Sequence, residues 1–156
     1  MSVENQTVDT NSPAKKPNTG AERFFTGMHV FFYRLSGGKL GGTFGNSPVL
    51  LLNTVGRKTG QPRTSPLLYL QDGNDLILVA SHGGAPKHPA WWLNLQAKPE
   101  TEVEVGRKKL KVTARQADAE ERARLWPLLV DMYGSYADYQ KKTMREIPVV
   151  ILHPQD

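Results

Sequence analysis

Pro48-Val49-Leu50-Leu51-Leu52-Asn53-Thr54-Val55-Gly56-Arg57-Lys58-Thr59-Gly60-Gln61-Pro62-Arg63-Thr64-Ser65-Pro66-Leu67-Leu68-Tyr69-Leu70-Gln71-Asp72-Gly73-Asn74 decides the fold class. Pro48 to Thr54 is an apolar run of strand length, which reads as a buried strand. Gly56 to Pro62 is turn chemistry, and Thr64 to Leu70 is a second strand. Asp72-Gly73-Asn74 is a tight hairpin turn leading into a third strand, Leu76 to Ala80. Parallel neighbours need a crossover of a dozen or more residues, and these turns are too short for one. The three strands are therefore antiparallel, and a doubly wound sheet is excluded.

Working outward toward the C-terminus, His82-Gly83-Gly84-Ala85-Pro86 is a loop. Pro89 suits a first helical turn, and the helix it opens carries Trp91, Trp92 and Leu95 before Pro99 closes it. Val103 to Val105 and Lys109 to Thr113 alternate around Gly106-Arg107 as a hairpin with one polar face. Asp118 with Glu121 three residues on has the form of a capping box. Leu125, Trp126, Leu129, Val130, Met132 and Tyr133 then make a helical stripe, in which Pro127 predicts a kink or an early break. Gly134 stops it, Ser135 and Asp138 predict a short helix carrying Tyr136 and Tyr139, and Ile147 to Leu152 is a last strand, in which Pro148 points to an edge position or to the strand's first residue. Toward the N-terminus, Phe24, Phe25, Met28, Phe31, Phe32 and Leu35 recur at helical spacing, giving an amphipathic helix over about 23–35. Residues 1–22 are polar and read as a disordered tail. The expectation is one domain, 23–156, of α+β class: a mainly antiparallel β-barrel decorated by short helices.

The chain has 156 residues, 38% of them hydrophobic, which suits one packed core. No window of eighteen apolar residues occurs, the first twenty lack an apolar signal core, and cysteine is absent. A soluble protein of a reducing cytoplasm is the expectation, and thiol chemistry is excluded. The net charge is +5, and no Asp or Glu stands between Arg23 and Gln71. Arg34, Lys39, Arg57, Lys58 and Arg63 all fall in that stretch. Such a field either concentrates anions or is a solvated basic surface.

The turn Gly56 to Arg63 holds three cations, a hydroxyl and two glycines. It is not a Walker loop, since no Gly-Lys-Ser/Thr opens a helix. It reads either as a phosphate cradle or as a charged hairpin tip. Ala80-Ser81-His82-Gly83-Gly84 lets a ligand approach backbone closely, with His82 as a candidate anion donor. Trp91, Trp92 and Asn94 share one short helix, suited either to the core or to packing a flat ring. Tyr133, Tyr136 and Tyr139, three apart, are either a covering face or phenol donors at a pocket rim. His29, His82, His88 and His153 lack metal-ligand spacing, so no metal is expected. No Ser-His-Asp constellation stands out.

Together these segments carry a resemblance. Gly41-Gly42-Thr43-Phe44, Thr54 through Arg63, Ala80-Ser81-x-Gly83-Gly84, Pro89-x-Trp91-x-Leu93-Asn94-Leu95 and Met132-Tyr133-x-Ser135-Tyr136-x-Asp138-Tyr139 occur in that order. The set resembles the deazaflavin-dependent nitroreductase family of actinobacteria over about residues 34–154. The resemblance implies a split β-barrel and coenzyme F420, a deazaflavin with a phosphate and a polyglutamate tail. It implies hydride transfer to quinones, activated alkenes (enones) or nitro compounds. Arg57, Lys58 and Thr59 would meet the phosphate or tail. Arg63, Thr64, Ser65, Pro66, Leu67 and Leu68 would line the cofactor. Val79, Ala80, Ser81 and His82 would border the ring, with Ala90, Trp91, Trp92, Leu93 and Asn94. Tyr133, Tyr136 and Tyr139 would form the catalytic, substrate side, Tyr136 also touching the cofactor. The chain departs from that pattern at His82, where relatives carry lysine, and at Leu68, where they carry tyrosine.

Split barrels also host flavin mononucleotide (FMN), which stays the alternative cofactor. A non-catalytic basic module for nucleic acid or anionic membrane is the alternative of another class. The reading adopted is an enzyme with a small hydrophobic substrate and no nucleic-acid partner. It is placed in the cytoplasm, with peripheral membrane contact open through the 23–35 helix.

Overall fold

Period-two alternation along the strands sorts the apolar residues onto two faces of one curled sheet. On the strand Asp75–Val79, Leu76 and Leu78 enter one core while Ile77 and Val79 enter another. Val150 and Leu152 of the last strand join the first core, and Val149 and Ile151 the second. The computed structural model describes residues 19–45 and 47–155, with side chains from residue 26 onward.

The elements run α1 (Thr19–Ser36), β1 (Thr43–Phe44), β2 (Ser47–Val55), β3 (Pro62–Leu68), β4 (Leu70–Asp72) and β5 (Asp75–Val79). A 3-10 turn at His82–Gly84 follows, then α2 (Ala90–Ala97), β6 (Glu100–Val105), β7 (Lys108–Gln116), α3 (Ala119–Met132), α4 (Ser135–Lys142) and β8 (Val149–Pro154). Every strand pair is antiparallel, in the order β1-β2-β6-β7-β8-β5-β4, with β3 also on β2. The chain from Pro62 to Asp72 changes partners at Tyr69: β3 pairs with β2, then β4 pairs with β5. One bent segment thus joins the two ends of the sheet, which is a split barrel of the α+β class.

The first core fills the barrel, with Leu50, Leu52, Trp92, Leu95, Val103 and Val112 among its members. The second lies outside the sheet beneath α3 and α4, where Leu125, Leu129 and Tyr136 pack on β5 and β8. Helix α3 opens with the expected capping box: the Glu121 N–H donates to Asp118 and the Asp118 N–H to Glu121. Pro127 neither breaks nor ends it. The proline forfeits one backbone bond, and the fully buried pair Leu125 and Leu129, one turn apart, holds both halves against the sheet.

Four boundaries differ from the sequence reading. Helix α1 begins at Thr19, so residues 19–22 of the expected tail are helical, while residues 1–18 lie outside the described residues. Strands β6 and β7 run beyond the expected hairpin, because Glu100 to Glu102 and Ala114 to Gln116 continue the ladder despite their polarity. The extended chain Thr64–Leu70 breaks at Tyr69. Strand β8 starts at Val149, just after Pro148, and lies between β7 and β5 rather than at an edge.

Candidate functional site

The basic turn is closed by its own backbone. The Gly56 N–H donates to the Gln61 carbonyl and the Gly60 N–H to the Gly56 carbonyl, both at 2.8 Å. Gly60 sits at φ 69°, where a side chain would be strained. The Thr59 hydroxyl accepts from the Gln61 N–H at 3.2 Å, so it helps shape the turn. Arg57, Lys58 and Arg63 are exposed, and among the described residues none of them forms an ion pair.

Asn94 of α2, only 5% exposed, holds the entry to this turn. Its Oδ1 accepts from the Arg57 N–H at 3.1 Å, and its Nδ2 donates to Thr54 Oγ1 at 3.3 Å. The turn opens onto a cleft of about 740 Å³. Pro62 to Ser65 of β3 form one wall, and Ala90, Trp91 and Asn94 of α2 another. Thr26, Gly27 and Val30 of α1 close it from above.

Helix α1 is fastened by Tyr33, 1% exposed, whose hydroxyl donates to the Glu104 carbonyl and accepts from the Gly106 N–H. Arg34 is not available to a ligand. It pairs with the buried Glu104 at 2.8 Å, and Asn53 Nδ2 donates to the same carboxylate at 3.1 Å. The Arg34 guanidinium holds the Glu104 carboxyl below its ordinary value. The stretch without acids in sequence thus receives one in space, from β6. Among the described residues Lys39, Arg57, Lys58 and Arg63 of that stretch form no ion pair, and Thr64 joins the network by donating to Asn53 Oδ1 at 2.7 Å.

The tyrosines form a separate cluster. Tyr133 meets Tyr136 edge-on at 5.0 Å between ring centres, and Phe44 meets Tyr133 at 6.0 Å. Tyr133 and Tyr139 share a hydrogen bond of 3.3 Å. Tyr136 is 5% exposed. Burial pushes its phenol above the ordinary value, and the neighbouring phenols push the same way. It is a neutral donor over the whole physiological range. Leu68 and Val79 pack in this cluster. Strand β3 links the two places: from Ser65 at the cleft to Leu68 is three residues, about 10 Å of extended chain.

The loop after β5 sits against α4. His82, Gly83 and Gly84 have positive φ of 46°, 62° and 80°. A side chain at Gly84 would meet the Tyr139 carbonyl at 2.7 Å. Arg145 grips the loop from behind. Its Nε donates to the Ala85 carbonyl at 2.9 Å, and its Nη2 to the Ser81 carbonyl at 2.8 Å. Its Nη1 reaches the Ala80 carbonyl at 3.3 Å and His88 Nδ1 at 3.2 Å. Desolvation, then Arg145, pushes the His88 imidazole below its ordinary value.

The residues expected from sequence thus separate into places. Arg57, Lys58, Thr59, Arg63, Thr64, Ser65, Ala90, Trp91 and Asn94 line the cleft. Leu68 and Val79 join Tyr133, Tyr136 and Tyr139, while Leu67, Ala80 and Trp92 pack in the barrel core. Ser81 and His82 stand in the gripped loop, and Pro66 and Leu93 are half-buried between these places. Thr26, Gly27, Val30, Thr54 and Arg145 were not anticipated as parts of the site. Their roles come from contacts across the fold that no local pattern marks. Among the described residues no group of three or more His, Asp or Glu could hold a metal.

A split barrel with unpaired cations over a cleft, and buried phenols one strand away, is the frame of an oxidoreductase that holds an anionic cofactor. The chain belongs to the F420H(2)-dependent quinone reductase family, which matches residues 26–154. It is 43% identical over 129 residues to an F420H(2)-dependent quinone reductase of Mycobacterium tuberculosis, covering 80% of this chain and 87% of that one. The solved structure of an F420-H2 dependent reductase, FDR-A, superposes with a TM-score of 0.63 at 44% identity, over 68% of this chain and 94% of that one. A structure described as a domain-swapped dimer gives a TM-score of 0.65 at 36% identity, over 85% and 99%.

Proposed function

We propose that this F420H2-dependent oxidoreductase reduces quinones, with the cofactor phosphate and tail at the basic turn and the ring extended along β3 toward the tyrosines. The observation that carries this is the turn itself: three cations without acidic partners on a backbone latched by the buried Asn94, opening onto a cleft. Those residues fit a polyanionic ligand, since arginine and lysine supply charge-assisted donors and no carboxylate lines the cleft among the described residues.

When bound, reduced F420 supplies the hydride. The protein supplies position and polarisation. Arg57, Lys58 and Arg63 hold the anionic end, Trp91 and the β3 backbone flank the cofactor body, and Tyr136 donates a hydrogen bond to the quinone oxygen. Tyr133 and Tyr139, bonded to each other, shape the rim beside it. Tyr136 is buried in the second core, which strengthens the donor's effect. Enones and nitro compounds are further acceptors on this reading, since each develops negative charge on an oxygen that Tyr136 can meet. Titration with oxidised and reduced F420, followed by single-turnover reduction of a quinone, tests the proposal. Absence of a saturable deazaflavin site would end it, and a protein that stays yellow after desalting would favour FMN.

A cytoplasmic protein with peripheral membrane contact is a second reading, favoured by the outer face of α1. Phe31 is 60% and Leu35 67% exposed, beside exposed Met28, Phe32 and Leu40. No helix among the described residues is long and apolar enough to cross a membrane. Flotation with anionic vesicles, lost on Phe31→Ser with Leu35→Ser, tests it.

A further inference from the structure

We infer that Arg145 is a positioning residue for the reaction: it fixes the Ala80–Ala85 loop against α4, the helix that carries Tyr136, while touching no ligand itself. The inference rests on the proposed cofactor reading and adds to it a residue outside the cleft.

Three observations carry it. First, each nitrogen of the guanidinium is spent on this loop or its neighbour. Nε and Nη2 bond the Ala85 and Ser81 carbonyls, and Nη1 bonds the Ala80 carbonyl and His88. Four of its five N–H donors are engaged there, and Arg145 does not line the cleft. Its planar fork spans acceptors five residues apart, which a lysine ammonium does not do. Second, the gripped backbone needs support. Three successive residues at positive φ, the first a histidine, persist only where surroundings over-determine them. Third, the loop is trapped on its other side by α4. Gly84 lies so close to the Tyr139 carbonyl that no side chain fits. Arg145 also stands between α4 and β8, three residues past the end of the tyrosine helix. The loop and the helix carrying Tyr136 and Tyr139 are therefore set by one fixture.

Among the described residues no carboxylate pairs with Arg145, and burial lowers its pKa from the ordinary arginine value. A guanidinium held without a counter-charge against four neutral acceptors is costly for stability alone, because a hydrophobic residue could fill the same space. The arrangement makes sense as a device that holds several carbonyls at once.

The test is Arg145→Ala, assayed at saturating reduced F420 with a short-chain quinone. Hydride transfer is expected to fall about tenfold to a hundredfold, the scale of one charge-assisted hydrogen bond lost from the loop. The emission spectrum of bound deazaflavin is expected to shift toward that of the free cofactor. Low-millimolar guanidinium should restore rate and spectrum in proportion to its concentration, while urea at equal concentration should not. If Arg145→Ala does not fold, Arg145→Lys carries the test, with a smaller loss and no recovery with guanidinium. A wild-type rate and spectrum in either variant overturn the inference while leaving the cofactor reading intact. So does a loss in Arg145→Ala that follows melting temperature and is not restored by guanidinium, since that is a purely structural role. A wild-type protein that binds no deazaflavin overturns the cofactor reading itself.

Discussion

The basic turn, which ends at Arg63, and the tyrosine cluster, which β3 reaches at Leu68, lie five residues or about 17 Å of extended chain apart and are built on opposite plans. At the turn, the backbone is fixed and the charged side chains are loose: Gly56, Gly60, Gln61 and Asn94 lock the chain, while Arg57, Lys58 and Arg63 stand in solvent. At the tyrosines, the side chains are fixed by one another and by the second core. A loose cation adapts to a phosphate or a variable anionic tail, and its grip weakens with salt. A packed phenol cannot adapt, and its single donor is aimed at one place. On the proposed reading affinity and chemistry are separable on this scaffold, and substitutions can show it.

The largest effect belongs to the phenol. Tyr136→Phe is expected to leave melting and F420 affinity nearly unchanged and to slow quinone reduction by about tenfold to a few hundredfold. Because burial raises the phenol above its ordinary 10.0, the wild-type rate should show no alkaline limb from Tyr136 below that pH. A wild-type rate in the variant would reduce the cluster to a wall. Next come Lys58→Ala and Arg63→Ala, each weakening F420 binding by about 1–3 kcal/mol. That loss should shrink in high salt, and the rate at saturation should hold. Salt-independent losses would erase the contrast between the two ends.

Asn94→Ala sharpens it further. The Arg57 N–H loses its acceptor, at a cost of about 1–2 kcal/mol in F420 affinity, but the salt dependence should persist because all three cations remain. Smallest is Glu121→Gln, remote from both ends, which should cost about 0.5–1 kcal/mol of stability and nothing in turnover. Arg115, then the Asp118 N–H, holds the Glu121 carboxyl at about 2, against an ordinary 4.5. A depressed carboxyl stabilises above its unfolded value, so this contribution is lost as pH falls from about 4.5 toward about 2. Acid titration of melting temperature in wild type and variant checks it.

The sheet was legible because its turns were: Gly56 to Pro62 and Asp72-Gly73-Asn74 leave no room for crossovers, and β2, β3 and β5 follow. The polar ends of β6 and β7 were not, since Glu102 and Arg115 look like surface until the ladders pair them. At the site, the cations of the turn stood out by composition. Asn94 could be placed near the cofactor, but its bond to the Arg57 backbone, 37 residues away, has no local signature. Arg145 was invisible for the same reason, its partners lying 57 to 65 residues upstream. Arg34 misled in the other direction, because its acid arrives from β6.

Strand β3 is paired with β2 on one side only. An unpaired strand edge invites another chain to add to it, and proteins blunt such edges with prolines and charges. Here Pro62 and Pro66 remove two donors from that edge and Arg63 adds a charge. The wall proposed to receive a ligand is therefore also an unpaired edge. Residues that read as a binding strand double as its guard against aggregation, so exchanging either proline for a good strand former would raise the tendency of the apo protein to associate, and ligand would reverse it.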